Sequence, residues 1–116
     1  NTDLAGSSLL MGANGIIPVL APLFPKLYLR LYHAASNRDV ESTYKYQRIV
    51  CEAGRILTKG RNAVSAAKYS LSLLGFSSKR VTKPVEPLNE GEEADIRKYV
   101  AKINEKLNEI ILEANA

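Results

Sequence analysis

Apolar residues recur at three- and four-residue steps along most of this chain, and the exception is the run Ile16-Ile17-Pro18-Val19-Leu20. The regular steps predict helices. The longest is marked by Ile96, Val100, Ile103, Leu107 and Ile110, with Asn89 as its cap. Glu90, Glu92 and Glu93 fill its first turn, where the helix dipole favours negative charge. Leu27, Leu31 and Ala34, widened by Tyr28, Leu29 and Tyr32, predict a helix over 25–36 that Pro25 begins and Asn37-Arg38 breaks. Val40, Tyr44, Ile49, Val50, Ala53, Ile56 and Leu57 predict one over 40–58, capped by Asp39. Asn62 caps a helix over 63–74 that Gly75 ends, and Pro84 and Pro87 keep 77–88 an extended loop. A short helix over 4–11 is expected near the start, with Asp3 as cap, Leu4, Leu9, Leu10 and Met11 as contacts, and Gly12 as its stop.

The exceptional run predicts a β-strand. It follows the turn Gly12-Ala-Asn-Gly15, and its unbroken apolar character is that of a strand buried on both faces. A lone buried strand is physically incomplete, because each unpaired backbone group in a core costs about 1–3 kcal/mol. The chain is therefore expected to be part of something larger. Helix, strand and helix make one step of a β/α alternation, which belongs in a parallel sheet. A closed (β/α) barrel takes about 250 residues, so this chain would supply only part of one.

Composition adds limits. The 116 residues are 46% hydrophobic, enough for one ordinary core. The stretch nearest to a membrane span, Gly15 to Leu31, holds Pro18, Pro22, Pro25, Lys26 and Arg30, and a span needs about 18 apolar residues. No secretory signal is visible at the start. Asn1 rather than Met comes first, which suggests a processed or truncated product from which a targeting segment could have been removed. Cys51, the single cysteine, has no internal partner, and no Cys/His cluster offers metal ligands or implies a cofactor. A reducing cytoplasm is the default location. The net charge of +4 is spread out, densest at Lys79, Arg80 and Lys83 without interleaved aromatics, so nucleic acid is not an expected partner. Neither is a membrane.

The run from Gly12 to Pro25, followed by Leu31-Tyr32 and Arg38-Asp39, resembles the dihydrodipicolinate synthase/N-acetylneuraminate lyase family. There a glycine-rich turn enters the eighth barrel strand, and a helix reading like Leu-Tyr-x-Ala-x-x-x-x-Asp follows. The helix from Asn62 ending in Leu73-Leu74-Gly75 and the loop Lys83-Pro-Val-Glu-Pro-Leu88 are similar to later family elements, in consistent order. The resemblance implies an α/β parent fold, a (β/α)8 TIM barrel with three added C-terminal helices. This chain would be its C-terminal fragment and itself mainly α. Residues 1–36 would then be the last β/α unit and 37–116 the C-terminal helical region.

The family's members are class I aldolases and lyases that bind pyruvate or another 2-oxo acid as a Schiff base on a lysine, with a tyrosine shuttling protons. A desolvated lysine amine of lowered pKa attacks the keto carbon, and the protonated imine draws electrons from the neighbouring carbon. By this resemblance strands one to seven, the lysine and the tyrosine lie upstream of Asn1. None of Lys26, Lys45, Lys59, Lys68, Lys79 or Lys83 occupies the nucleophile's place. Only a rim remains. Ile17 corresponds to the eighth-strand position bordering pyruvate, and Thr2 and Asp3 to a loop that contacts the second substrate, an aldehyde. Pro18 and Pro22 depart from the Ser or Gly and Asn of many relatives, which leaves the aldehyde open. The resemblance also implies a homo-oligomer, tetramer or dimer.

Each residue also has a plainer role. Ile17 is a buried strand residue, Asp3 a helix cap, His33 a surface or packed histidine and Cys51 a small core residue. The six tyrosines cover or join helices, and the stripe from Ile96 to Ile110 packs against the barrel wall or another subunit. The alternative to a barrel fragment is a self-standing helical interaction module without catalysis. Buried pairing of Gly12 to Leu20 favours the fragment, and exposed coil there favours the module. A third possibility is that the fragment pairs or swaps with a copy of itself to cover its apolar face.

Overall fold

The computed structural model describes residues 1–115. Its regular elements are a 3-10 turn over Thr2–Leu4 and helices α1 (Ala5–Leu10), α2 (Pro25–Ser36) and α3 (Val40–Gly54). A second 3-10 turn, Arg55–Thr58, precedes α4 (Ala63–Ser72) and α5 (Glu90–Asn115). The chain is mainly helical, and the described residues contain no β-strand. It divides into two compact bodies, Asn1–Gly54 and the residues from Arg55 onward.

In the first body α2 packs along α3, and α1 rests on both. Leu27, Leu31, Ala34 and Ala35 of α2 are buried with Ile49, Val50 and Ala53 of α3, the faces that helical spacing assigns to a core. Leu29 and Tyr32, expected to widen the α2 stripe, are exposed. Arg38 stops α2 in the left-handed region at φ 57°. Its guanidinium donates to the Leu10 carbonyl, and so satisfies an open end of α1. Asp39 caps α3 as expected, its Oδ1 accepting from the Ser42 N–H at 3.0 Å.

Four sequence expectations are corrected here. Residues 15–18 form no strand and no regular element, and Ile17 is wholly exposed rather than buried. A strand is stable only in a ladder, and no other described strand exists to supply one. Asn1 caps the 3-10 turn Thr2–Leu4, its side chain accepting from the Asp3 N–H, while Asp3 lies inside the turn and α1 follows from Leu4 without a side-chain cap. Leu4 and Met11, expected as contacts, are exposed, while Gly12 does end the segment at φ +107°. Cys51 is half-buried, not a core residue.

In the second body the Arg55–Thr58 turn and α5 both pack on α4. The helix expected over 40–58 thus ends as α-helix at Gly54 and tightens to 3-10 geometry, and α4 is two residues shorter than expected. Asn62 caps α4 by accepting from the Ser65 N–H, and Gly75 follows at φ +77°. Ile96, Val100, Ile103 and Leu107 of α5 are buried with Ile56, Ala66 and Tyr69. Arg61 bridges Glu86 and Glu92, and Lys79 pairs with Glu93, which ties the 77–88 loop to the start of α5.

Candidate functional site

Thr2 and Ile17, two of the three residues singled out from the sequence, line one hollow of about 420 Å³ in the first body. Thr2, Ala5 and Ser8, spaced by three, form one wall. The chain from Gly15 to Val19 forms the other. Asp3 is not on its walls. Its backbone N–H donates to Asn1 Oδ1, and its carbonyl accepts from Gln47 Nε2 at 3.1 Å. Ser8 was not foreseen, although its three-residue spacing from Thr2 and Ala5 carries that signal.

Gln47, also unforeseen, joins α3 to this wall. Its Nε2 lies 3.0 Å from the Thr2 carbonyl, 3.1 Å from that of Asp3 and 3.2 Å from Cys51 Sγ. Its Oε1 accepts from the Gly6 N–H at 2.6 Å. Glycine leaves room for that approach: a Cβ on residue 6 would lie 3.0 Å from Gln47 Oε1 and from Thr43 Cγ2, and both side chains would have to give by a few tenths of an ångström.

A second hollow, about 470 Å³, shares Gly15, Ile16 and Pro18 and is walled further by Asn14, Ala21 and the α2 residues Pro25, Tyr28, Leu29 and Tyr32. Tyr28 is 5% exposed, and its hydroxyl is buried without a hydrogen-bond partner. Burial, reinforced by the nearby Cys51, pushes its pKa up to about 12. It is therefore a neutral phenol throughout the physiological range.

The walls of the first hollow offer hydroxyls, an amide and apolar surface, but no lysine, histidine, cysteine or carboxylate. Such a surface can orient a small polar molecule through its hydroxyls and amide. Lys26, Lys45, Lys59, Lys79 and Lys83 are exposed and Lys68 half-buried. Lys59 sits over the Tyr99 ring at 4.4 Å. His33 is exposed and packs edge-on against Tyr32. Among the described residues, no group of three or more His, Cys, Asp or Glu is placed to hold a metal ion, and no helix is long and apolar enough to cross a membrane.

The model of the dihydrodipicolinate synthetase family matches residues 2–103. An uncharacterised DapA-like lyase of Thermococcus kodakarensis is 31% identical over 78 residues, 67% of this chain and 27% of that protein. One from Pyrococcus abyssi is 31% identical over 87 residues, 75% of this chain and 29% of its own length. Among solved structures, dihydrodipicolinate synthase from Bacteroides thetaiotaomicron matches with a TM-score of 0.82 at 32% identity, over 88% of this chain and 36% of that one. YagE, a prophage protein of the dihydrodipicolinic acid synthase family from E. coli K12, solved in complex with pyruvate, shares the fold with a TM-score of 0.78 at 22% identity, over 89% of this chain and 35% of its own. The chain thus spans about a third or less of the length of these relatives. With the family model matched from Thr2 to Ile103 and the helical architecture in agreement, this chain belongs to the dihydrodipicolinate synthetase family.

Proposed function

We propose that this chain is the C-terminal part of a (β/α)8 lyase or synthase that makes or breaks a C–C bond through a lysine Schiff base with pyruvate or another 2-oxo acid. One observation carries the reading. A family match spanning nearly the whole chain covers only about a third of its relatives, and the hollow lined by Thr2 and Ile17 offers hydroxyls, an amide and apolar surface. Residues 1–36 are then the last β/α unit and 37–116 the C-terminal helical region. Ile17 borders the 2-oxo acid, Thr2 and Asp3 face the aldehyde, and the lysine and proton-shuttling tyrosine come from upstream sequence. The pyruvate held by YagE supports this substrate class. The whole enzyme works as a cytoplasmic homo-oligomer, and this chain alone is inactive.

The coil at 15–18 is the outcome that favours a helical interaction module. That outcome loses its force because the strand's neighbours are not in this chain: an edge without a ladder is solvated in either case. The family match over residues 2–103 supports the barrel fragment over the module.

The test is borohydride reduction of the full-length polypeptide with pyruvate, followed by peptide mass mapping. A lysine outside residues 1–116 carrying the reduced three-carbon adduct supports the reading. No adduct, or an adduct on one of the lysines of this chain, overturns it.

A further inference from the structure

We infer that Gln47 is a positioning residue for the second, aldehyde substrate, acting through the Thr2–Asp3 turn. The inference rests on the Schiff-base reading given above and deepens it. The geometry is specific. The two N–H groups of one side-chain amide face three acceptors, the carbonyls of Thr2 and Asp3 at 3.0 and 3.1 Å and Cys51 Sγ at 3.2 Å. The amide oxygen accepts from the Gly6 N–H at 2.6 Å. Donor and acceptor sides are thus both used, which fixes the amide's orientation. These bonds span more than forty residues of sequence, from the first turns of the chain to α3.

A 3-10 turn of three residues, with Asp3 and Leu4 exposed, has little packing of its own to hold it. Its two carbonyls are held by a helix whose Ile49 and Val50 are 2% and 0% exposed. The amide therefore transmits the rigidity of α3 to the wall that carries Thr2. Gly6 keeps the approach open, since a Cβ there would press on Gln47 Oε1. Ile17 stands on the opposite wall and makes none of these bonds, so the effect is directed at the Thr2–Asp3 side.

The experiment compares Gln47→Leu and Gln47→Glu with the wild type in the full-length enzyme. Gln47→Leu removes every polar bond, while Gln47→Glu keeps the length and the acceptor for Gly6 and loses the donors. Two readouts are taken: the rate of borohydride trapping with pyruvate alone, and kcat/KM for the aldehyde at saturating pyruvate. Both variants are expected to trap pyruvate at the wild-type rate while kcat/KM for the aldehyde falls about tenfold or more, mostly through KM. Equal loss in both readouts, or no loss in either, overturns the inference. Failure of both variants to fold also overturns it, because the amide would then hold the fold rather than the turn. Absence of trapping in the wild type is a different result, and it removes the Schiff-base reading itself.

Discussion

Asn89 and Glu92 cap the last helix reciprocally. Asn89 Oδ1 accepts from the Glu92 N–H at 2.8 Å, and the Glu92 carboxylate accepts from the Asn89 N–H at 2.9 Å. Two otherwise open donors at the start of α5 are satisfied by one pair of side chains.

A pH dependence follows from this pair. The Asn89 N–H, helped by Arg61 and opposed by desolvation, holds the Glu92 carboxyl below its ordinary value of 4.5. A lowered folded pKa means that the unfolded chain takes up the proton first. Its contribution to stability is therefore present above about pH 4.5 and is lost as pH falls through the folded value. Denaturation midpoints followed from about pH 6 to about pH 3 should fall less steeply for Glu92→Gln than for the wild type. Parallel curves would show that the carboxylate is not linked to folding.

Tyr28→Phe is expected to stabilise the protein. The hydroxyl is buried without a partner, and removing it relieves an unmet desolvation cost, a gain of about 1 kcal/mol. The alkaline limb should change too. The folded phenol ionises near 12 rather than at 10.0, so wild-type stability is whole below 10.0 and declines as pH rises through about 12. The phenylalanine variant should lack that component. Urea denaturation in buffers across this range checks both effects, and a destabilised variant would point to a hydrogen bond made by the hydroxyl.

The core of the second body can be probed along α5. Ile96 is 0% exposed and Leu112 is 69% exposed, on the same helix. Ile96→Ala should cost about 2–5 kcal/mol from lost burial and the cavity left behind. Leu112→Ala should stay within about 0.5 kcal/mol. A similar cost at both positions, read from chemical denaturation, would mean that another surface covers Leu112.

Ile17→Asp separates the barrel reading from the helical module. Ile17 is wholly exposed in this chain, so a module should tolerate the charge within about 0.5 kcal/mol. In a completed barrel the same position lies in a sheet covered on both faces, where an unpaired carboxylate costs several kcal/mol. The full-length variant is expected to lose soluble, folded protein, as judged by expression and circular dichroism. Wild-type yield and melting would reject the barrel placement of this run.

Much of the helical architecture was legible because its signals are local. Pro25 opens α2, Asp39 caps α3, Asn62 caps α4 and Asn89 caps α5, each within one turn of the backbone group it serves. The stripe from Ile96 to Leu107 was legible for the same reason, since periodicity alone assigns its buried face. The first turn was misread because Asn1 and Asp3 are both competent caps two residues apart, and only the folded backbone shows which one is used.

By itself, the sequence determined where the longer helices lie, the centre of their buried faces and, through the order of its motifs, the family; Leu29, Tyr32, Val40 and Tyr44, which helical spacing put on those faces, are exposed. Tertiary structure alone decided the state of Ile16 to Leu20, because a strand's stability belongs to its neighbours and the described residues include none. It alone brought Thr2 and Ile17 to one hollow and set Gln47 behind Thr2. No periodicity encodes a hydrogen bond between residues 2 and 47. That bond exists only once the packing of α1 and α3 has brought the two groups within reach.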